Sequence, residues 1–559
     1  MTVSDYRAPL HALADRARTT PDKPHMIQPR DGTLDRLSWG QTEAMVRRAA
    51  AGLRSQGLRP GDAVALLSKN CAEWVLADLA IMAAGLVSVP IYPTAGPETI
   101  GYVLEHSGAG AVFLGKLDDA DLADQAIPAG IKRIALPYPT APADMAWADL
   151  IGQDSLDAMP QSEPERLATV VYTSGSTGRP KGAMVSEGNL AYAADTTRRF
   201  IRMGQDERAL SHLPLAHIAE RSLGEAVSLY SGHTLYFVES LETFGRDLQT
   251  CRPTRFLTVP RLWFKLQEQI LARVPEHRLK TALGVPGLSG LVKRKIKAGL
   301  GLDQAQFFGT GAAPAPPALL DFFHRLDMPV TQGFGMTETA GVATAFAGPE
   351  PALKTSVGHT LPGTEARLGA DDELELRGPG IFQGYFKDPE LTAESFSADG
   401  WFKTGDLARM DDRGNIWITG RKKEIFKTAK AKYVSPVPIE ARLADCPHIE
   451  HLCVLGSGLT QPEALVVLTA TAAAQDQAAV DRDLDQHRER VNAALEPHER
   501  LARLHVVAGP WDVASGFLTP TMKLRRGPIE AAYAALLGQG DGPVIRHISV
   551  ERAAEPVAS

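Results

Sequence analysis

The sequence predicts an α/β protein with a large N-terminal domain and a small C-terminal domain. Its 559 residues exceed what one ordinary hydrophobic core organises, and usual domain sizes fit roughly two to four domains. Helix-like and strand-like segments alternate over residues 1–165, which is the rhythm of an α/β domain. The roughly 140 residues after Thr419 have strands and helices of their own, enough for an independent domain. We therefore expect one domain of residues 1–419 and another of residues 420–559.

Three segments near the N-terminus set the expected α/β pattern. Residues 41–56 have the spacing of an amphipathic helix, residues 63–67 form a short apolar run, and residues 72–85 again follow a helical period. The short run is typical of a buried strand. Its position between two helices supports the α/β class.

The longest uncharged run, residues 79–97, raises the question of a membrane span. Its length approaches the ~20 residues that a spanning helix needs. Prolines break its second half, and its continuous apolar part ends at Val89. We therefore expect a buried helix followed by a strand or a loop.

A glycine-rich stretch lies between two segments with strand character. Residues 168–173 are strand-like and lead directly into it, and residues 182–186 are extended again. Ser186 is placed to cap a helix that continues through Thr197. The glycine-rich loop is therefore expected to connect two strands.

Shorter elements follow in the second half of the chain. Residues 371–384 and 409–419 have the pattern of short strands, and residues 411–415 give the clearest hairpin signal. Residues 483–495 are helix-like. These elements place the expected domain boundary near Thr419.

Composition argues against several classes of protein. The chain has 59 basic and 66 acidic residues and a formal charge of −7, a balance that does not favour a nucleic-acid partner. The four cysteines, Cys71, Cys251, Cys446 and Cys453, lack metal-ligand spacing and are expected to be free thiols. The charged N-terminus has no apolar signal-peptide core, so we expect a cytoplasmic protein.

The stretch TSGSTGRPKG, residues 173–182, carries the strongest chemical signal. Its glycines let backbone N–H groups converge, its hydroxyls add donors, and Lys181 adds a positive charge, which together suit a phosphate chain. A flexible surface linker is the alternative, but linkers seldom end in Arg-Pro-Lys-Gly. A Walker-type loop is disfavoured because it needs Gly-Lys-Ser/Thr, whereas Pro180 and Gly182 flank the lysine here.

Four further motifs extend the signal along the chain. They are QGFGMTET at residues 332–339, GWFKTGD at 400–406, GRKKE at 420–424 and PTMK at 520–523. On these motifs, in this order, the chain resembles the adenylate-forming enzymes, which include acyl-CoA synthetases, luciferases and the adenylation domains of peptide synthetases. The resemblance covers nearly the whole chain. It implies a mixed α/β fold with a β-barrel-like part, a large adenylate-forming domain and a small, mobile α+β C-terminal domain.

The resemblance implies a role for each matched residue around ATP. The residues that would hold the phosphates are Thr173, Ser174, Gly175, Ser176, Thr177 and Gly178. Lys181 would order that loop, and Glu338 would bind Mg²⁺ with Thr173 as a second ligand. The remaining contacts would come from Thr337 to the α-phosphate, from Phe334 stacked on adenine, and from Gly311 and Ala312 along the base.

The same resemblance gives roles to residues on both sides of the expected domain boundary. Asp406 would accept hydrogen bonds from the ribose hydroxyls, and Arg421 would support the same sugar near the hinge. Lys523 would approach the α-phosphate and the carboxylate and stabilise charge in the adenylation transition state. Lys423 matches the hinge about which the C-terminal domain rotates. Structural alternatives are a turn acid at Asp406 and a helix-start acid at Glu338.

The run LPLAHIAER, residues 213–221, resembles long-chain fatty acyl-CoA synthetases. His217 stands where that group has a residue beside the acyl pocket, and a satisfied core histidine is the alternative. The implied activity converts a fatty acid to an acyl-adenylate and then to acyl-CoA, with ATP, Mg²⁺ and coenzyme A. Residues 429–431, Ala-Lys-Ala, depart from a loop that usually contains glycine, which bears on the CoA step.

Two other functions stay open at the level of sequence. An acyl-AMP ligase would deliver the acyl group to a carrier protein or another acceptor, and it would not use free CoA. A nucleotide- and lipid-binding regulator would lack catalysis, which Glu338, Asp406 and Lys523 argue against. The sequence also leaves acyl chain length, peripheral membrane contact and homodimer formation open.

Overall fold

The computed structural model describes residues 2–138, 142–152, 154–161, 163–173, 179–513, 515–519, 522–539 and 542–548. The chain forms two compact units. The first contains Met1–Ala312, Phe322–Ala366 and Leu376–Lys403, and the second contains Ala313–Asp321, Arg367–Glu375 and Thr404–Ser559. Each unit consists of three separate segments of the chain, so no single position in the sequence divides the two units. The domain boundary at residues 419 and 420 therefore stays a prediction.

The described helices have the following bounds: α1 Pro9–Thr19, α2 Trp39–Ser55, α3 Ala72–Ala84, α4 Pro97–Ser107, α5 Ala120–Ala126, α6 Trp147–Ile151, α7 Glu187–Phe200, α8 Ile218–Glu220, α9 Val227–Ser231, α10 Phe244–Cys251, α11 Pro260–Arg273, α12 Glu276–Gly284, α13 Leu288–Leu300, α14 Pro317–Arg325, α15 Pro389–Glu394, α16 Pro436–Leu443, α17 Ala470–Ala473, α18 Gln477–Ala493 and α19 Arg526–Tyr533.

The described strands have the following bounds: β1 Pro24–Arg30, β2 Thr33–Ser38, β3 Ala63–Leu67, β4 Val87–Ile91, β5 Ala111–Leu114, β6 Lys132–Ala135, β7 Met145–Ala146, β8 Leu167–Thr173, β9 Lys181–Ser186, β10 Arg208–Ser211, β11 Thr234–Phe237, β12 Arg255–Thr258, β13 Phe307–Thr310, β14 Val330–Gln332, β15 Thr344–Ala345, β16 His359–Thr360, β17 Glu365–Leu368, β18 Glu373–Arg377, β19 Gly384–Tyr385, β20 Phe402–Met410, β21 Ile416–Arg421, β22 Phe426–Lys427, β23 Tyr433–Val434, β24 Ile449–Leu455, β25 Glu463–Leu468, β26 Arg503–Val507 and β27 Ile545–Ile548.

An eight-stranded sheet organises the first unit, in the order β19-β9-β8-β4-β3-β5-β6-β7. From β8 to β7 the strands are parallel, whereas β9 pairs antiparallel with both β8 and β19. Val64 and Leu66 of β3 pack in one core cluster, and Ala65 and Leu67 pack in another. The sheet is therefore covered on both faces, which is why β3 reads as a continuous apolar run.

The predictions for the N-terminal part are confirmed. The apolar run at residues 63–67 is β3, and α2 begins at Trp39 because Ser38 caps it through the N–H of Gln41. The uncharged run at residues 79–97 divides between α3 and β4, and Gly85, with φ of 81°, ends α3. In the described part of the chain, no helix is both long and apolar enough to cross a membrane.

The hairpin around the glycine-rich loop is also confirmed. β8 and β9 pair antiparallel, from Leu167 opposite Ser186 to Thr173 opposite Lys181. The hydroxyl of Ser186 accepts a hydrogen bond from the N–H of Asn189 at 3.1 Å and so caps α7, which continues past the predicted end at Thr197. The loop therefore connects two paired strands.

A second sheet, in the order β24-β25-β26-β27, organises the second unit. Leu443 of α16 and Leu484 of α18 pack in the core cluster that includes Val466 and Leu504 of this sheet. The predicted helix at residues 483–495 is the latter part of α18, which begins earlier because Asp476 caps it. As predicted, residues 411–415 turn between β20 and β21, and all four cysteines are free and buried.

Candidate active site

A β-hairpin holds the two ends of the glycine-rich loop. Thr173 on β8 pairs with Lys181 on β9. Ser174, Gly175, Ser176, Thr177 and Gly178 lie outside the described residues, so their phosphate contacts stay predictions. A Cβ at Gly182 would lie 2.6 Å from Cγ1 of Val170, which explains the glycine after the lysine. The hairpin thus fixes where the loop begins and ends.

Glu338 lies on a 3₁₀ turn, Thr337–Thr339, in the interior of the first unit. Glu338 and Thr337 are each 7% exposed. The hydroxyl of Tyr385 donates a hydrogen bond to Oε1 of Glu338 at 2.7 Å. Burial and the charge of Glu338 raise the pKa of Tyr385, so the phenol stays protonated and remains a donor. A neutral hydroxyl therefore orients this carboxylate.

Tyr385 links Glu338 to Lys181, and the sequence analysis missed it. The backbone N–H of Tyr385 donates to Oγ1 of Thr392 at 2.8 Å, and β19 pairs Tyr385 with Ala183 on β9. Nζ of Lys181 lies 5.6 Å from the centroid of the Tyr385 ring, a cation–π geometry. Because Tyr385 belongs to a strand of two residues, periodicity could not single it out. The structure thus joins two predicted site residues through a third.

The donor chemistry at Glu338 suits Mg²⁺. This ion prefers hard oxygen ligands and keeps several waters, so one or two protein oxygens with substrate phosphates are a usual set. Glu338 offers a carboxylate, and Thr173 offers a hydroxyl at the edge of the loop. Among the described residues, no group of three or more His, Cys, Asp or Glu could hold a metal by itself. A magnesium ion at Glu338 would therefore need phosphate oxygens as further ligands.

Residues 333–341 fold back on themselves. A Cβ at Gly335 would lie 2.3 Å from the carbonyl oxygen of Gly341, so glycine is required at this close approach. The N–H of Phe334 donates to the carbonyl oxygen of Thr344 at 3.1 Å. Phe334 is half-buried. The turn that carries Glu338 is therefore held by its own backbone.

The segment predicted to line the adenine base lies beside Phe334. The N–H of Gly333 donates to the carbonyl oxygen of Thr310 at 3.0 Å, and a Cβ at Gly311 would lie 3.3 Å from the Gly333 oxygen. Ala312 has φ of 67°, a left-handed conformation that is strained for alanine. Such strain is concentrated at functional sites. Gly311 and Ala312 are thus adjacent to the segment of Phe334, as a base-binding role requires.

In the second unit, Asp406 and Arg421 form an ion pair across a β-hairpin. They are partners in the β20–β21 register, and Nε of Arg421 donates to Oδ1 of Asp406 at 2.8 Å. Asp406 is 4% exposed. Burial raises the pKa of Asp406, and the charges of Arg421 and Lys523 oppose that rise. The structure therefore pairs Asp406 with Arg421, and the charge of Lys523 acts on the same carboxylate.

Lys523 lies on an exposed turn just before the helix that begins at Arg526. The N–H of Lys523 donates to Oγ1 of Thr519 at 3.0 Å, and Pro520 and Thr521 lie outside the described residues. Nη2 of Arg526 donates to Oε2 of Glu440 at 2.9 Å. Sequence reasoning missed Arg526, because only the fold places it against Glu440. Its ion pair anchors the helix that begins three residues after the lysine.

His217 acts as a local cap. Its Nδ1 accepts a hydrogen bond from the N–H of Ala219 at 3.1 Å at the start of α8. The alternative structural interpretation therefore has direct support, and contact with an acyl chain stays a prediction. The capping role and the predicted acyl contact both concern the same run of sequence, LPLAHIAER.

The same run buries a cluster of ionisable residues that the sequence analysis missed. Nη2 of Arg221 pairs with Oδ2 of Asp78 at 2.6 Å, with both side chains 2% exposed. Burial raises the pKa of Glu220 to about 8, and burial together with the nearby charge of Asp78 raises the pKa of Glu225 well above its usual range. Residues Arg221–Ala226 form a π-helical turn, a distortion that is frequent at functional sites. The partners are far apart in sequence, so no local pattern reveals them.

The loop that departs from the family pattern closes without glycine. The N–H of Thr428 donates to the carbonyl oxygen of Lys432 at 2.9 Å, and the N–H of Ala431 donates to that of Thr428 at 2.9 Å. Ala431 has φ of 58°, in the left-handed region that favours glycine. Lys430 is exposed. The turn is therefore retained at the expense of strain at one alanine.

Comparisons with known proteins give one family over most of the chain. A model described as AMP-binding enzyme matches residues 13–386, and one described as AMP-binding enzyme C-terminal domain matches residues 424–539. The long-chain-fatty-acid–CoA ligase FadD15 of Mycobacterium bovis is 31% identical, over 96% of this chain and 97% of that protein. The long chain acyl-CoA synthetase 7, peroxisomal, of Arabidopsis thaliana is 29% identical, over 91% and 82%.

A solved structure agrees with the fold. The adenylation domain of a carboxylate reductase from Mycobacterium chelonae matches with a TM-score of 0.80 and 23% identity, covering 95% of this chain and 90% of that domain. This likeness confirms the predicted class, a mixed α/β fold with a large N-terminal and a smaller C-terminal part.

Proposed function

Since this chain belongs to the AMP-binding enzyme family, we propose that it is an ATP-dependent long-chain fatty acid–CoA ligase. The observation that carries the proposal is the similarity to a long-chain-fatty-acid–CoA ligase over 96% of the chain, which spans both family domains. The hydrogen-bonded Glu338 and the Asp406–Arg421 pair add residues of the chemical types that adenylation needs.

The proposed first step forms an acyl-adenylate. An oxygen of the fatty acid carboxylate attacks the α-phosphorus of ATP, and the bond from that phosphorus to the leaving oxygen of pyrophosphate breaks. Lys523 stabilises negative charge at the α-phosphate, and Asp406 accepts hydrogen bonds from the ribose. Glu338 would hold a magnesium ion, which would supply positive charge against the phosphates. Lys181 orders the phosphate loop from its place beside Tyr385.

The proposed second step transfers the acyl group to coenzyme A. The CoA sulfur attacks the acyl carbonyl carbon, the bond from this carbon to the AMP oxygen breaks, AMP leaves, and the thiol proton passes to solvent. The turn at residues 428–432 keeps its hydrogen bonds despite the missing glycine, so it is compatible with this acceptor. Lys430 is exposed on that turn and is suited to a CoA phosphate.

A second candidate differs only in the acceptor. An acyl-AMP ligase would pass the acyl group to a carrier protein, and the sequence Ala-Lys-Ala at residues 429–431 favours it because the usual glycine is missing.

We further propose a cytoplasmic location, peripheral membrane contact and a homodimer for the ligase. None of these affects the order of the two steps.

The test follows both products in one experiment. Purified protein is incubated with ATP, magnesium and fatty acids of graded length, with and without CoA, and AMP, acyl-adenylate and acyl-CoA are quantified. The proposed ligase yields AMP and acyl-CoA in equal amounts, only with CoA. Acyl-adenylate without thioester would favour the acyl-AMP ligase, and the absence of both products would leave a binding protein.

A further inference from the structure

The helical hairpin of α12 and α13 exposes apolar side chains at its tip. Val285, Leu288 and Leu291 are 44%, 41% and 52% exposed. Val285 lies in the turn between the helices, and Leu288 and Leu291 are three residues apart on α13, so they share one face. Every residue of α13 is described, and none is buried. Grouped apolar side chains in solvent mark an interaction surface.

Basic residues surround this tip. Between residues 273 and 297 the chain has seven Lys and Arg against one acid, Glu276, although the whole chain carries a formal charge of −7. Arg294 and Lys295 follow Leu291 by three and four positions, so they continue the face of the exposed leucines. Both are exposed. The surface therefore combines apolar and cationic side chains on one side of a helix.

The base of the hairpin is fixed to the first unit. Leu279 of α12 is 3% exposed. The side-chain amide of Gln249 donates to the carbonyl oxygen of Gly299 at 2.7 Å, and Nζ of Lys293 pairs with Asp327 at 2.9 Å. These contacts hold α13 from its middle to its end. The tip therefore belongs to a helical hairpin that is fixed to the first unit by these contacts.

We propose that this tip docks on the surface of an anionic lipid bilayer. Val285, Leu288 and Leu291 enter the boundary between headgroups and acyl chains, and Arg294 and Lys295 meet lipid phosphates. This division of one helix face is the pattern of interfacial helices, and each cation near an anionic surface adds attraction. The charge of the hairpin is complementary to such a surface and opposite in sign to that of the chain.

A nucleic acid fits the same surface less well. Phosphates would engage the cations, but half-exposed leucine and valine gain nothing from that contact. Residues 273–300 also contain no Phe, Tyr or Trp that could stack on bases. Docking by this tip would assign a surface to the peripheral membrane contact proposed above, and the benefit of reaching a source of apolar acids rests on the proposed function.

The experiment measures vesicle binding of the full-length protein without ATP or fatty acid, so its result is independent of ligase activity. Sedimentation is compared with vesicles of phosphatidylcholine alone and of phosphatidylcholine with phosphatidylglycerol in equal parts. We expect binding to the anionic vesicles only, weakening as salt rises. Equal binding to both compositions, or binding to neither, would overturn the proposal.

Paired variants assign the binding to the tip. Leu288→Ser with Leu291→Ser should lower the partition coefficient at least about tenfold, and Arg294→Gln with Lys295→Gln roughly tenfold to thirtyfold. Leu241→Ser is the matched control, since Leu241 is 83% exposed outside the hairpin, and it should bind as the parent does. Circular dichroism checks that each variant folds.

Two outcomes would place another occupant on the surface. If the leucine pair dissociates a dimer in sedimentation velocity while vesicle binding persists, the tip is an interface between copies. If a polyanion such as RNA competes and the leucine pair binds vesicles normally, the cations act alone. Either outcome would refute docking by the apolar tip.

Discussion

The hydroxyl of Tyr385 donates a hydrogen bond to Oε1 of Glu338 at 2.7 Å, although the two residues are 47 positions apart in sequence. The same ring lies 5.6 Å from Nζ of Lys181. One tyrosine therefore orients the carboxylate predicted to bind magnesium and contacts Lys181, the cation at the end of the glycine-rich loop. Partners of this kind tune a metal ligand without touching the metal.

We predict that Tyr385→Phe weakens magnesium use without unfolding the protein. The change removes only the hydroxyl, so Glu338 loses its donor while the ring still packs against Phe382 at 4.9 Å. Loss of such a partner lowers metal affinity or activity by roughly 10- to 100-fold. The measurements are calorimetric titration with magnesium and ATP, and the magnesium dependence of pyrophosphate exchange.

Tyr236→Phe is the control for this prediction. Tyr236 lies on β11, outside the candidate site, and its loss of a hydroxyl should change neither measurement. If Tyr385→Phe binds magnesium and ATP as tightly as the parent and exchanges pyrophosphate at the same rate, the hydrogen bond has no role in positioning Glu338.

Much of the fold could be predicted because its signals are local. The apolar run of β3, the cap at Ser186 and the turn at residues 411–415 each depend on neighbours within a few positions. The predicted roles of Glu338 and Asp406 came from motif resemblance, which carries information that periodicity lacks. Local patterns therefore gave the elements, and the motifs gave the candidate chemistry.

The rest depends on contacts between distant parts of the chain. Arg221 and Asp78 are 143 positions apart and form a buried ion pair. The sequence around neither residue predicts this pair. The strain at Ala431 is likewise invisible until the backbone is known, although the missing glycine pointed to this turn. Packing decides which polar residues are buried together, and a short stretch of sequence does not determine the packing.

Lys523→Ala should abolish most adenylation and spare the second step. Removal of one preorganised charge at the reacting phosphate is expected to slow pyrophosphate release by about 10²- to 10³-fold. Conversion of a supplied acyl-adenylate to acyl-CoA should stay within about threefold, since that step does not need this charge at the α-phosphate. Lys265→Ala, on the exposed side of α11, is the control.

An equal loss in both half-reactions would contradict this assignment. It would indicate that the side chain of Lys523 supports the fold of the second unit, because the variant keeps the hydrogen bond from the backbone N–H of residue 523 to Thr519. Thermal unfolding of the variant separates the two cases. A catalytic role leaves the unfolding midpoint close to that of the parent.

Glu220 should make the protein less stable as pH rises. Burial raises its pKa to about 8 from 4.5, and the hydrogen bonds from Ser211 and Leu213 only partly oppose this. The folded state thus keeps a proton that the unfolded chain releases, so the stabilisation is complete below pH 4.5 and is lost as pH rises to about 8. Each pH unit in this window lowers the free energy of unfolding by about 1.4 kcal/mol.

Glu220→Gln should remove that slope. The amide keeps the shape of the side chain and cannot ionise. The free energy of unfolding should therefore fall less between pH 5 and pH 8 than in the parent, by an amount on the order of 1 kcal/mol per pH unit. Glu225, whose pKa burial also raises beside the Arg221–Asp78 pair, leaves a residual slope. The exposed Glu268→Gln is the control. An unchanged slope in Glu220→Gln would mean that Glu220 is ionised in the folded protein.

Ala431→Gly tests whether the turn at residues 428–432 stores strain. Ala431 has φ of 58°, and a left-handed alanine is disfavoured by roughly 1–2 kcal/mol, whereas glycine adopts this region freely. The gain is partly offset by the larger entropy of an unfolded glycine, so we expect a net stabilisation of about 0.5–1 kcal/mol. Urea denaturation measures it.

Ala429→Gly is a matched control two positions away. Ala429 does not have a positive φ, so glycine there brings only its entropic penalty and should lower stability by about 0.5–1 kcal/mol. If the two variants change stability in opposite directions, Ala431 is strained in the parent and glycine relieves that strain. If both variants are destabilised alike, the turn is unstrained. A CoA ligase should form acyl-CoA with Ala431→Gly at least as fast as the parent, because the substitution relaxes the turn without moving its hydrogen bonds.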